Sequence, residues 1–155
     1  VDNQHVLELV EGSMDNGYFS LSDNTLYWDS QEALAGRTAF TVEVMVVDAD
    51  GNELAKVFEI TRLRKSLDDI EIYNTFSPNE DGRNDTWGVE ELRYQTGVRI
   101  MIFERSGNRI FYTEHPEVRW DGTYKGKEMA PGTYFWVIES RGDDKVRRGV
   151  LNLLR

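Results

Sequence analysis

The sequence predicts an all-β protein: two Ig-like antiparallel β-sandwich modules in tandem, the first of them incomplete. Three observations lead there. Apolar residues recur with period two over many short runs, turn residues separate those runs, and the one helical candidate, 88–94, is short. A polar break, Lys65-Ser66-Leu67-Asp68-Asp69, falls between two such series, so the modules are expected at 1–64 and 70–155 with 65–69 as linker.

In the first module, Val6–Val10 and Tyr18–Trp28 read as short strands separated by Gly12, Asn16, Gly17 and the Asp23-Asn24 pair. Thr38–Val47 alternates, with Phe40, Val42, Val44 and Val46 on one face and Thr41, Glu43 and Met45 on the other. Asp48-Ala49-Asp50-Gly51-Asn52 then supplies turn chemistry. Glu53–Arg62 alternates again through Leu54, Val57, Phe58 and Ile60, which completes a hairpin. So few strands are too few for a closed sandwich, hence the expectation of an incomplete module.

The second module reads as strands at Ile70–Phe76, Val98–Glu104, Asn108–Thr113, Val118–Trp120, Gly132–Ser140 and Val146–Leu154. The last of these reaches the end of the chain, so it is expected to be a paired part of the fold. On it Val150, Asn152 and Leu154 share one face while Leu151 and Leu153 share the other. Trp28, Trp87, Trp120 and Trp136 are expected in the cores, with Asp121-Gly122 as a turn after Trp120.

The formal net charge of −10 opposes a nucleic-acid surface, because phosphates are bound by clustered Lys and Arg. The imbalance is concentrated in residues 1–64, where four basic residues face twelve acidic ones. No apolar run approaches the roughly 20 residues of a membrane-spanning helix. Val1-Asp2-Asn3-Gln4-His5 lacks the basic start and apolar stretch of a signal peptide, so an export signal is expected upstream or already removed. The chain has no cysteine, which excludes disulfides, thiolate metal sites and a Cys nucleophile together. With two histidines only, His5 near a terminus and His115 before Pro116, neither a His-based triad nor a two-His metal site is indicated. The carboxylates lie in turns and on solvent faces rather than as a desolvated pair, so no enzyme activity is expected.

Two acidic loops carry a choice between a metal and a turn. In 79–85 the oxygens of Asn79, Asp81 and Asp85, with Asn84 beside them, recur at every second position, a pattern that suits a structural calcium ion. The competing reading is an Asx-turn network in which these side chains accept backbone N–H groups around Gly82. Asp48 and Asp50 pose the same choice at the tip of the first module's hairpin. No other cofactor is indicated.

The remaining candidate is a partner-recognition surface on the final strand, made of Lys145, Arg147, Arg148, Val150, Asn152, Leu154 and Arg155. Its basic run either protects an edge strand from aggregation or offers a partner strand addition and electrostatic docking.

Four motifs occur in order in the second module: Phe76-Ser77-Pro78-Asn79-Glu80-Asp81-Gly82-Arg83-Asn84-Asp85, the Ser106-Gly107-Asn108 hairpin within 102–111, Trp120-Asp121-Gly122-Thr123-Tyr124, and Pro131-Gly132-Thr133-Tyr134-Phe135. Their order and spacing over about residues 70–155 resemble the gliding-motility-associated C-terminal domain of Bacteroidetes proteins, the type B sorting domain of the type IX secretion system. The resemblance implies an address that carries a protein across the outer membrane to the cell surface. It also implies recognition by the translocon and by a PorP/SprF-like or PorV-like outer-membrane protein. Residues 1–64 resemble, less fully, the later part of a cadherin-like repeat, through Phe19-Ser20-Leu21, Asn24-Thr25-Leu26 and Val47-Asp48-Ala49-Asp50-Gly51-Asn52. Two other functions stay open beside the sorting role: a calcium- or glycan-binding surface adhesin module, and a structural subunit of the secretion or gliding apparatus.

Overall fold

The computed structural model, which describes residues 5–155, is all-β, with strands gathered into antiparallel sheets and only 3₁₀ turns as helical structure. The chain divides into two units, Val1–Leu63 and Arg64–Arg155. No helix among the described residues is long and apolar enough to cross a membrane.

The first unit contains β1 (Val6–Leu9), β2 (Phe19–Ser22), β3 (Thr25–Trp28), β4 (Ala39–Val47) and β5 (Glu53–Thr61). β1, β4 and β5 form one antiparallel sheet in that order, and β2 and β3 form a separate hairpin. Asp23 and Asn24 both adopt positive φ, 48° and 60°, the backbone that a two-residue hairpin turn requires. Phe40 is the centre of an aromatic cluster with Tyr18, Phe19 and Trp28, at centroid distances of 6.4, 5.9 and 5.1 Å. The Arg37 guanidinium lies 4.6 Å from the Phe40 ring and pairs with Asp15 at 2.7 Å. That pair and a hydrogen bond from the Thr41 amide hold the Asp15 carboxyl below the usual carboxylate range, the amide being the larger cause.

The expected alternation on β4 is realised at Phe40 and Val42, which are buried, whereas Val44 and Val46 are half-exposed. Opposite them on β5, Ile60 is half-buried, while Phe58 and Leu54 are exposed. The apolar face of this sheet is thus covered at the Phe40 end and open at the Leu54 end.

The second unit contains β6 (Thr75–Phe76), β7 (Val98–Phe103), β8 (Arg109–Thr113), β9 (Thr123–Tyr124), β10 (Lys127–Glu128), β11 (Gly132–Ser140) and β12 (Lys145–Leu153). A five-stranded sheet of order β6-β12-β11-β7-β8 dominates it, antiparallel except for the short parallel contact of β6 with β12. Its inner face carries Val98, Ile100, Ile102, Ile110, Tyr134, Trp136, Ile138, Leu151 and Leu153, all buried.

The second layer over that face is built mostly from non-strand chain. Leu67, Ile70, Phe76, Trp87, Val89, Leu92 and Trp120 come down onto it and join the same core. Trp87 and Trp120 exchange reciprocal backbone hydrogen bonds of 2.8 Å, an isolated bridge that ties two coil segments together. Each indole N–H in this unit finds a carbonyl: Trp87 on Tyr73 at 2.6 Å, Trp120 on Thr123 at 2.9 Å and Trp136 on Val150 at 3.1 Å. Large apolar rings therefore enter the core without stranding a polar atom.

Three expectations need correction. The segment 65–69, read as a linker, is part of the second unit: Leu67 is fully buried, and the Asp143 carboxylate accepts its amide at 2.5 Å and the Ser66 hydroxyl at 3.1 Å. Of the strand expected over 70–76 only Thr75–Phe76 pairs with β12, and further back the Leu67 and Ile70 carbonyls accept the Arg147 guanidinium instead. The strand expected over 118–120 reduces to the Trp120 bridge, and the β9–β10 hairpin follows it, turning at Lys125-Gly126 with φ of 52° and 73°.

Candidate recognition surface

β12 lies between β6 and β11, so the terminal strand is interior to the sheet at its C-terminal end. The amides of Asn152 and Leu154 donate to the carbonyls of Asn74 and Phe76 at 2.7 and 2.9 Å. Strand addition to that stretch is closed off.

The basic residues of the strand separate by role. Lys145 pairs with Asp68 and donates to the Ser66 hydroxyl at 2.8 Å, and the Asp68 carboxylate holds its ammonium above the usual lysine range. Arg147 donates through Nη1 to the carbonyls of Leu67 and Ile70, at 2.7 and 2.6 Å. Both side chains clamp the segment that roofs the core. Arg155 pairs with Glu128 and donates to the Gly122 carbonyl at 3.4 Å, which fastens the end of the chain to the β9–β10 hairpin. Arg148, Val150 and Leu154 are exposed, and Asn152 is half-exposed, its Oδ1 accepting the Thr133 hydroxyl at 2.9 Å.

Arg148 and Val150 face outward on the sheet. Across the register, Arg148 lies beside Val137, Met101 and Tyr112, and Val150 lies beside Phe135, Phe103 and Arg109. A bulge after Ile102 turns both Ile110 and Phe111 toward the core, which lets Arg109 and Tyr112 share the outer face. The result is an apolar strip across β12, β11, β7 and β8 in which Val150, Phe135 and Tyr112 are 45%, 43% and 44% exposed. At one end Arg99 bridges Glu139 at 3.6 Å and Glu114 at 3.2 Å, and the Tyr112 hydroxyl donates to Glu114 at 2.5 Å. That phenol holds the Glu114 carboxyl below its usual range, more strongly than Arg99 does.

Of the residues expected at a partner surface, Arg148, Val150 and Asn152 share this outer face with Met101, Phe103, Arg109, Tyr112, Phe135 and Val137, which the sequence did not single out. The signal was present as alternation in β7 and β11. Large apolar residues stand on both faces of those strands, so period alone does not say which face is covered.

The acidic loops resolve into turns. Asp85 accepts the amides of Asn79 and Glu80 through Oδ1, at 3.0 and 2.7 Å, and that of Gly82 through Oδ2, at 2.8 Å. The Asn79 amide nitrogen donates to Asp81 at 3.0 Å, and Asp81 accepts the Arg83 amide at 2.8 Å. Asn84 takes φ of 53° and contributes its carbonyl to the Ser77 amide at 2.9 Å. Asp48 accepts the side chain and the amide of Asn52, both at 2.8 Å, and the amide of Asp50 at 2.9 Å, bonds that hold its carboxyl low. Among the described residues, no three His, Asp or Glu side chains converge as a metal site. In both loops these oxygens accept N–H donors in the Asx-turn manner.

A family model described as the CHU_C type IX secretion signal domain matches residues 70–153. The chain belongs to that family. The match takes in β6 through β12 whole, including the roof that carries Trp87 and Trp120. A type IX secretion signal domain marks a secreted or cell-surface protein. Among solved structures, PorZ, an essential bacterial surface component of the type IX secretion system of Porphyromonas gingivalis, is 20% identical with a TM-score of 0.47, covering 73% of this chain and 15% of that one. Dimeric latent PorU from the same organism is 14% identical with a TM-score of 0.31, covering 99% and 16%. Human mucin-like protocadherin EC1-2 is 8% identical with a TM-score of 0.33, covering 96% and 81%. All three scores lie below 0.5, so the family match alone carries the assignment. The type IX signal chain thus spans less than a fifth of the PorZ and PorU chains that it matches. No curated protein matches.

Proposed function

We propose that residues 64–155 are the export address of the protein that carries them, read as a folded domain by the outer-membrane part of the type IX translocon. The observation that carries this is the family match over 70–153, which coincides with one unit and its continuous core. A PorP/SprF-like or PorV-like protein is the expected receptor. At the end of β12 its contact is with side chains, since there the backbone is paired along β11 on one edge and along β6 on the other. The domain acts by being recognised: its shifted carboxylates, Glu114 and Asp143, are held by hydrogen bonds and an ion pair in structural roles.

The test is a fluorescent reporter with the full chain fused behind it, expressed in a bacterium with a working type IX system. Export of the reporter to the surface or medium, and its retention in the periplasm when the translocon is disabled, is the expected result. Periplasmic retention of the intact fusion in the competent strain would overturn the reading.

A further inference from the structure

The outer face of the five-stranded sheet combines an apolar strip with an unusual charge balance. Its acids, Glu139 and Glu114, share Arg99 on the same face, so that cluster keeps one negative charge, while the face as a whole carries three arginines against two glutamates. The Arg148 side chain, exposed on β12, has no hydrogen bond or ion pair among the described residues. Among the described residues the Arg109 side chain, exposed on β8, meets only the Tyr112 ring, 4.8 Å from its guanidinium. Two uncompensated cations therefore flank Val137, Met101, Phe135 and Phe103 from opposite edges. They stand three strand spacings apart and two residues out of line, about 16 Å on the diagonal. The chain as a whole is acidic, with a net charge of −10.

We propose that this face docks a protein surface with an apolar centre flanked by two carboxylates at that spacing, and that the partner is the outer-membrane receptor of the export apparatus. Covering the strip desolvates both guanidinium groups, and a buried cation without a counter-charge is costly, so a partner that covers the strip must supply carboxylates. A second copy of this chain does not meet the requirement. Its own face carries Arg99, Arg109 and Arg148 against Glu114 and Glu139, so two copies would bring together faces that are each net positive. The identity of the receptor rests on the export reading above; the chemistry of the face does not.

The experiment uses the reporter fusion of the full chain with Arg148→Glu and Arg109→Glu together, against Arg148→Lys with Arg109→Lys, and against Arg83→Glu with Lys125→Glu, which makes the same charge change off the face. A photo-crosslinking residue at Val137 reports the neighbour. Expected is an exported fraction at least about tenfold lower for the double glutamate variant only, with an unchanged melting midpoint. The Val137 adduct is expected with an outer-membrane protein and is lost in that variant. Equal export of all variants overturns the proposal while leaving the export reading intact. An equal loss in the off-face control reduces the effect to net charge and also overturns it. A Val137 adduct with another copy of the chain, or binding of the purified chain to anionic lipid vesicles that depends on Arg148 and Arg109, assigns the face to a different occupant and rejects it. Failure of the unsubstituted fusion to leave the periplasm instead sinks the export reading.

Discussion

Gly149 faces Trp136 across the β11–β12 pair, and a Cβ added there would lie 2.3 Å from the indole ring. The ring is buried, and its N–H is spent on the Val150 carbonyl, so it has nowhere to retreat. Gly149→Ala is expected to destabilise the second unit by about 1–3 kcal/mol, the usual range for overpacking, and denaturant titration followed by tryptophan fluorescence would show it. Asp143 is the other residue on which the roof depends. Its carboxylate caps the Leu67 amide and accepts the Ser66 hydroxyl, and the Leu67 bond is the main reason its pKa is lowered. A pKa lower in the folded than in the unfolded chain adds stability that is fully present above the unfolded value, about 3.9. That stability disappears as the pH falls through the lower, folded value. Asp143→Asn should therefore lower the midpoint at pH 7 and flatten the acid side of the stability profile. A profile parallel to the parent's would contradict the role. For the 79–85 loop, whose carboxylates are committed to amides, EDTA should leave the melting midpoint unchanged.

At the scale of elements, the strand β12 does two jobs with alternate residues. Arg147 points to the roof and holds two carbonyls, whereas Arg148, one position on, points to solvent. Arg147→Ala is expected to cost about 1.5–3 kcal/mol, the range for hydrogen bonds to a charged group, while Arg148→Ala should stay within about 0.5 kcal/mol. Paired thermal and urea unfolding would separate them, and equal losses would remove the distinction. Period two in the sequence already put neighbours on opposite faces. What it withheld was the direction, because the carbonyls that Arg147 binds belong to residues 80 and 77 positions away. The same limit explains the roof. Strands β4, β7, β8, β11 and β12 were legible from alternation, but Leu67, Trp87, Leu92 and Trp120 enter the core from turns and 3₁₀ segments that have no period to read. The spacing of Asn79, Asp81 and Asp85 left the choice between ion and turn open for a related reason. Oxygens at every second position serve amides as readily as a metal, and only the fold shows where they point.

At the scale of the whole molecule, the two units have unequal cores. Among the described residues of the first, only Phe40 and Val42 are buried hydrophobics, and the sheet face beyond them is open at Leu54 and Phe58. The second unit closes a continuous core from Leu67 to Leu153. Burial of apolar surface is the main favourable term in folding, and a small unit that covers only part of its apolar face has little to set against chain entropy. The first unit should therefore unfold at lower denaturant than the second. The tryptophans make this separable, since Trp28 stands alone in the first unit while Trp87, Trp120 and Trp136 report on the second. Fluorescence of the full chain is expected to show an early, small transition and a later, large one. Trp28→Phe should erase most of the early amplitude and leave the later midpoint where it was. A single transition that coincides in the parent and in the variant would mean that the two units share one cooperative core, and it would remove the basis for treating 64–155 as a portable address.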